Sequence, residues 1–445
     1  MTTLLLKYWD RLRSSFWFVP TVMACLAVGL AVGAVELDKT VTEDWLKRLS
    51  WIYSGGAEGA SVLLGTVAAS MIAIAGTVFS MTLVALSLAS SQLGPRLLRN
   101  FMRDTANQVV LGTFVATFVY CLLVLRTIRR ADEVAFVPHL AVSGGVLLAI
   151  VSIGVLIYFI HHVSVSIQAD EVVSQVGREL VDGIDSLFPG RLGKPGSEVS
   201  SATGEADLPA AFSREARPVH ALGDGYLQQI DAAALMDLAA EEDLLLRLEC
   251  RPGHYLVKGR AMVMVWPGDR VTDTLVDKMN AAFVLGDQRT ATQDVEFSFN
   301  QLVEIAVRAL SPGINDPFTA IACEDRLGSG LCRLAERDIP SGHRFDSHGR
   351  LRLVALGSTF AGIVDASLNQ IRQSARSNAA VAIRMLGAIA QIATHVRHPQ
   401  DTACLQRHAS MIVRGAREAV PEADDLLAVE AAFAAATQAL SETQE

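Results

Sequence analysis

Charge is scarce in this chain. Asp, Glu, Lys and Arg make up 19% of its 445 residues, against about a quarter in soluble globular domains. Apolar residues make up 51%, and the mean hydropathy is +0.33. That balance excludes a disordered chain, a nucleic-acid-binding chain and a purely soluble fold. Cysteine is also sparse, with six residues and no CxxC pair. A disulfide scaffold is excluded, and reduced thiols in a cytosolic compartment fit better. Glycine has no period, which excludes collagen. There is no P-loop, HExxH, GxSxG or dinucleotide GxGxxG. Lacking these motifs and any nucleophile–base pair, the chain is not expected to be an enzyme or to hold a cofactor.

A second absence is sharper. Four long apolar runs, at about 16–35, 61–92, 109–125 and 140–160, contain no Asp, Glu, Lys or Arg. About 20 apolar residues cross a bilayer core of roughly 30 Å, so each run is predicted to span a membrane. The first follows Lys7, Arg11 and Arg13. It is too long for a signal-peptide core and lacks a clear cleavage site, so it reads as a retained helix. Trp9, Trp17, Trp45, Trp51 and Tyr158 lie near the run ends, where amphipathic rings suit the interface. Proton relays, voltage sensors and coupled transporters use intramembrane ionisable groups. Their absence argues against a pump and leaves a passive channel open.

What is present is asymmetric. Residues 1–169 carry a net charge of +3 and residues 170–445 a net charge of −12. A basic apolar part joined to an acidic polar part predicts an α-helical membrane domain followed by a soluble α+β domain. Four spans place both termini on one side of the membrane. Lys and Arg are shared equally among the loops. The free thiols and the large C-terminal region favour the cytoplasm for both termini.

The second run carries a stripe. Thr66, Ser70, Ala73, Thr77, Ser80, Val84, Ser87 and Ser91 recur at alternating spacings of four and three, which is one face of a helix. Six of the eight are hydroxyls. Small hydroxylated faces make close helix packing seams. They also line pores, where hydroxyls stabilise partly dehydrated ions without trapping them. Gly94-Pro95 then breaks the helix, and Arg96, Arg99 and Arg103 follow at helical spacing. They form a basic collar that either binds lipid headgroups or concentrates anions at a pore mouth.

In the C-terminal part, residues 170–218 read as an amphipathic helix and a flexible linker. Residues 219–270 read as a small α/β module. Strands are predicted at Gly225–Ile230, Leu244–Cys250 and Tyr255–Trp266, with a helix capped by Asp231. Residues 271–445 read as mainly helical, with a short strand at Leu351–Leu356. Ser311-Pro-Gly-Ile-Asn-Asp-Pro317 breaks a helix, and Asp316 with Pro317 starts the next. This tight polar turn, with Ser311, Asn315 and Asp316, fits a structural corner or a ligand site. His395, His398, Cys404 and His408 have a spacing that a helical hairpin could gather around zinc. The spacing is not a strong motif, and no stoichiometric metal is expected.

Two stretches carry a resemblance. Gly76-Thr-Val-Phe-Ser-Met-Thr-Leu-Val-Ala-Leu-Ser-Leu-Ala-Ser-Ser-Gln92, continuing into Pro95-Arg-Leu-Leu-Arg-Asn-Phe101, is one. Arg308-Ala-Leu-Ser-Pro-Gly-Ile-Asn-Asp-Pro-Phe-Thr-Ala320 is the other. Together they resemble the bacterial family of predicted membrane proteins labelled domain of unknown function 2254, over most of the chain. The resemblance implies an inner-membrane protein with N-terminal spans and a soluble C-terminal region. It brings no activity, substrate or catalytic residue.

The expected function is a homo-oligomeric channel or pore with a cytoplasmic assembly or gating domain, in contact with membrane lipids and ions and not with nucleic acid. The alternative is a membrane-anchored sensor or scaffold whose soluble domain binds a ligand or protein.

Overall fold

A computed structural model describes residues 17–40, 55–94, 104–129, 136–166, 168–188, 208–337, 339–340 and 342–442. Its contacts divide the chain into two compact units, Met1–Glu171 and Val172–Glu445.

The N-terminal unit is a bundle of α1 (Phe18–Thr40), α2 (Ala57–Leu93), α3 (Thr105–Thr127) and α4 (His139–Ser166). Each holds a stretch long and apolar enough to cross a membrane. The spans coincide with the four charge-free runs, but most of the helices run past the ends of those runs. Helix α1 continues past Val35 through Glu36, Asp38 and Lys39. Helix α2 starts earlier, at Ala57, and its 37 residues are about 55 Å long at 1.5 Å per residue, well beyond the hydrocarbon thickness. Helix α3 is central: 44% of its most apolar window is buried, against 22–28% for the others. It packs on all three neighbours. Two clusters fill the bundle. One joins Ala27, Ala31, Ala60, Leu64, Ala68, Tyr120 and Val124. The other joins Met71, Ala75, Val78, Val110, Phe114 and Phe159. Alanines dominate the α1 and α2 faces because, without a hydrophobic drive in lipid, close backbone approach supplies the packing energy.

The C-terminal unit begins within the amphipathic α5 (Ala169–Leu187), whose Val173, Val176, Leu180 and Ile184 are buried. A short α6 (Phe212–Glu215) leads into β1 (Arg217–His220), β2 (Gly225–Ile230), α7 (Ala232–Glu241), β3 (Leu245–Leu248), β4 (Tyr255–Leu256) and β5 (Ala261–Trp266). Then come α8 (Asp273–Ala281), β6 (Phe283–Gly286), α9 (Val295–Ala309) and α10 (Pro317–Ala335). Strands β7 (His343–Phe345) and β8 (Leu351–Val354) precede α11 (Phe360–Ser374), α12 (Ala379–Ala393), α13 (Pro399–Ala419) and α14 (Ala423–Glu442).

Two sheets form, in the orders β1-β5-β3-β8-β7 and β4-β2-β6. Strands β3 and β8 are parallel, with Leu246 opposite Leu353; the remaining pairs are antiparallel. Leu227, Leu235, Leu246, Leu256, Val263 and Met279, from strands of both sheets and from α7 and α8, share one buried core.

Three expectations are corrected here. Tyr255–Trp266 is not one strand. Tyr255 and Leu256 pair with β2, the chain turns through Gly259 at φ +86°, and β5 joins the other sheet. A residue with a Cβ is disfavoured at that φ. Strands β6 and β7 also stand in the stretch read as helical, and β1 begins inside the stretch read as linker.

Candidate functional site

The hydroxyl stripe of α2 has a definite placement. Thr66, Ser70, Ala73, Thr77, Ser80, Val84, Ser87 and Ser91 are all exposed in the single chain. The face of α2 that packs into the bundle is another set: Ala60, Ser61, Leu64, Ala68, Met71, Ala75, Val78, Thr82 and Ala85. At 100° per residue the two series lie about half a turn apart. The seam within the chain is therefore built mainly from alanines and larger apolar residues, with the hydroxyls of Ser61 and Thr82 also buried, and the stripe points outward. Thr66 Oγ1 donates to the Val62 carbonyl at 2.8 Å and Thr77 Oγ1 to the Ala73 carbonyl at 3.1 Å. Ser91 Oγ donates to the Leu88 carbonyl at 2.9 Å. The hydroxyls of Ser70, Ser80 and Ser87 have no hydrogen-bond partner among the described residues. Bulky Ile72, Phe79 and Leu83 are exposed on other parts of the helix surface.

Arg96, Arg99 and Arg103 lie outside the described residues. The residue that follows them, Asp104, caps α3 by accepting the Ala106 N–H at 2.9 Å. Its other carboxylate oxygen lies 2.6 Å from His162 Nε2, and His162 stacks on Tyr158 with ring centroids 5.5 Å apart. Asp104 thus ties the start of α3 to the end of α4.

The Ser311–Pro317 turn joins α9 to α10, and its polar groups are used in building the corner. Ser311 Oγ donates to the Arg308 carbonyl at 2.6 Å. Asn315 sits in the left-handed region at φ 51°, and its N–H reaches the Ser311 carbonyl at 2.9 Å. The Asp316 carboxylate accepts the N–H groups of Phe318 and Thr319, both at 3.1 Å, and the Thr319 hydroxyl at 2.5 Å. Phe318 and Ile314 stay exposed beside it.

The four candidate zinc residues are not gathered. His395 Nδ1 lies 2.8 Å from Glu336. His398 is exposed at the N-terminus of α13. Cys404 and His408 instead meet Asp365 of α11, with one ligand atom from each within 4.8 Å of the others. His408 Nε2 lies 2.7 Å from Asp365 Oδ1. Arg407 donates to the same oxygen at 2.7 Å and lies 3.6 Å from Cys404 Sγ. A guanidinium on two of three donors repels a cation, so the arrangement suits an Asp–His–Arg network better than a metal centre. Burial is the main influence on His408 and holds its pKa below the usual range, with Asp365 opposing.

Two features escape the one-dimensional reading. The first is an ion-pair latch between the loop after β3 and the start of α9. Arg251 pairs with Glu296 at 2.8 Å and donates to Ser358 Oγ at 2.7 Å. Arg289 forks onto Asp294 Oδ2 at 2.8 and 2.6 Å. Gly253 at φ +93° lies against that carboxylate, where a Cβ would collide. Burial raises the Asp294 pKa although Arg289 opposes it. Burial also lowers that of His254, helped by Arg251 and Arg260.

The second is Glu324 on α10. It is fully buried, and neither carboxylate oxygen has a hydrogen-bond partner among the described residues. Burial, with the Asp325 charge second, pushes its pKa up to about 8. The signal was present in the sequence, since Ala320, Glu324, Leu327 and Leu331 share one helical face; it places a carboxylate on the apolar stripe of α10.

Comparison with known proteins agrees with the membrane bundle. A family model described as predicted membrane protein (DUF2254) matches residues 13–391. An uncharacterized protein of Mycobacterium bovis is 33% identical over 436 residues, covering 96% of this chain and 81% of its own length. An uncharacterized protein of Mycobacterium tuberculosis matches with the same identity and coverage. No solved structure matches the chain.

Proposed function

We propose, for a chain that belongs to the DUF2254 family of predicted membrane proteins, a homo-oligomeric inner-membrane channel or pore lined by the hydroxyl face of α2. The observation that carries this reading is the outward placement of that face. Lipid tails offer no partner to the free hydroxyls of Ser70, Ser80 and Ser87, whereas water or a second copy does. One four-helix unit presents one such face, so enclosing a lumen takes several copies. Hydroxyls without fixed charge lower the penalty for ion dehydration and still let the ion leave. Arg96, Arg99 and Arg103 would form the vestibule beyond Gly94. The C-terminal unit would assemble or gate the pore from the cytoplasm, a side that suits its unpaired cysteines.

Cysteine accessibility tests this reading. In a cysteine-free background, cysteines at Ser70, Thr77, Ser80 and Ser87 are expected to react with a small water-soluble thiol reagent, because thiolate forms readily only in water. Cysteines at buried Ala75 and at lipid-side Ile72 are expected to stay silent. The purified protein is expected to conduct in planar bilayers. Silence at all four stripe positions in the assembled protein, with no conductance, rejects the pore.

A further inference from the structure

We infer that the end of the α11–α13 seam is an oxyanion site, in which Arg372, Arg376 and Arg414 receive a phosphate-type group. This inference goes beyond the pore reading and does not depend on it. Arg372 lies in the last turn of α11, and Arg376 follows one turn later. Arg414 stands on α13, close enough for its charge to act on Arg372. The stem of Arg376 runs along α13 beside Gly415, where a Cβ would stand 3.7 Å from Arg376 Cγ and 3.8 Å from Nε. Among the described residues the three cations make one ion pair, that of Arg376 with Glu418. Arg414 has no hydrogen bond or ion pair among the described residues. Among the described residues Arg372 reaches only the Asn369 side chain at 3.4 Å, and its buried Nε–H has no acceptor there.

The surroundings make this surplus specific. The other arginines of α11, α12 and α13 are neutralised. Arg407 pairs with Asp365 at 2.7 Å, Arg417 with Glu430 at 2.9 Å, and Arg384 of α12 with Asp325. Burial lowers the pKa of Arg372, and the charges of Arg414 and Arg376 add to the effect. A buried donor without an acceptor and a like-charge cluster are both unfavourable. A phosphate group removes both penalties, because it brings about two negative charges and several acceptor oxygens. Planar guanidinium forks donate to two such oxygens at once. The group could belong to a soluble phosphate compound or to a phospholipid headgroup, and the chemistry of recognition is shared.

The test is equilibrium binding of radiolabelled inorganic phosphate to the full chain in neutral detergent, with ionic strength held constant by chloride. Arg372→Gln and Arg414→Gln are each expected to weaken binding by about tenfold or more, the worth of one charge-assisted contact. Arg417→Gln, on the same helix but paired with Glu430, is expected to leave it unchanged. Arg372→Lys keeps the charge without the fork and is expected to fall between. Repeating the measurement in nanodiscs separates the sources. Displacement of labelled phosphate by phosphatidic acid but not by phosphatidylcholine identifies a headgroup. Undiminished phosphate binding in both bilayers identifies a soluble compound. Phosphate binding that is equal in the wild type, Arg417→Gln and the folded double variant Arg372→Gln/Arg414→Gln overturns the site.

Discussion

Asp38, in the last turn of α1, caps α4 a hundred residues later. Its carboxylate accepts the N–H groups of Leu140 and Ala141 at 2.9 and 2.8 Å. These are orphan donors of the first turn of α4, and a negative charge there also suits the helix dipole. Both ends of this contact flank apolar spans, so the bond fixes the register of α1 against α4. Asp38→Ala is expected to lower stability by about 1–2 kcal/mol, and Asp38→Asn by less. Unfolding of the detergent-solubilised protein by urea measures both. An unchanged midpoint for Asp38→Ala would show that water replaces the cap.

Glu324 makes stability depend on pH in a set direction. Its folded pKa, about 8, lies above the ordinary value of 4.5. The folded chain therefore holds a proton that the unfolded chain releases. Below pH 4.5 both states are protonated and nothing is lost. Between that pH and about 8 stability falls as pH rises, and above it the loss is complete. The total is on the order of several kcal/mol. Glu324→Gln is expected to remove this dependence. The variant and the wild type should agree near pH 4, and the variant should be the more stable at pH 9. Parallel curves for the two proteins across that range would reject the assignment.

Much of the fold was legible because its causes are local. The four spans are runs without charge, and an uncharged run of that length has few other stable settings. Asp231 and Asp316 stand where short acceptors precede helical periodicity, and both cap as read, Asp231 through the Ala234 N–H. What stayed hidden depends on distant partners. Arg251 meets Glu296, and nothing in either neighbourhood announces the other. Tyr255-Leu256 and Ala261–Trp266 read as one strand because alternation continues through both, while the choice of sheet is made by β2 and β3. The stripe on α2 was visible, but its facing was not. Periodicity shows that residues share a face and does not show which way the face turns.

The corner between α9 and α10 gives a direct check of Asp316. One of its carboxylate oxygens takes two backbone N–H groups and the other takes the Thr319 hydroxyl. Asp316→Ala is expected to destabilise the protein by about 1 kcal/mol. Asp316→Asn keeps one acceptor and is expected to retain about half of that. The urea midpoint reads both. No shift for Asp316→Ala would mean that Pro317 alone sets the start of α10.

A charge on the hydroxyl face separates water from lipid. Ser80 lies near the middle of α2, exposed and opposite the packing face. If the face lines a lumen, Ser80→Asp puts a carboxylate in water. The protein then inserts and assembles normally, and the fixed negative charge shifts selectivity towards cations in a reconstituted bilayer. If the face meets lipid, the same charge costs roughly 3 kcal/mol at mid-membrane, and insertion or yield falls. Ile72→Asp, exposed away from the stripe, sets the scale for a lipid-facing charge. Equal losses for Ser80→Asp and Ile72→Asp would remove the lumen. The function would then have to be sought in the C-terminal unit, as a membrane-anchored sensor or scaffold. Normal insertion of Ser80→Asp with altered selectivity, beside failed insertion of Ile72→Asp, is the outcome expected of a pore.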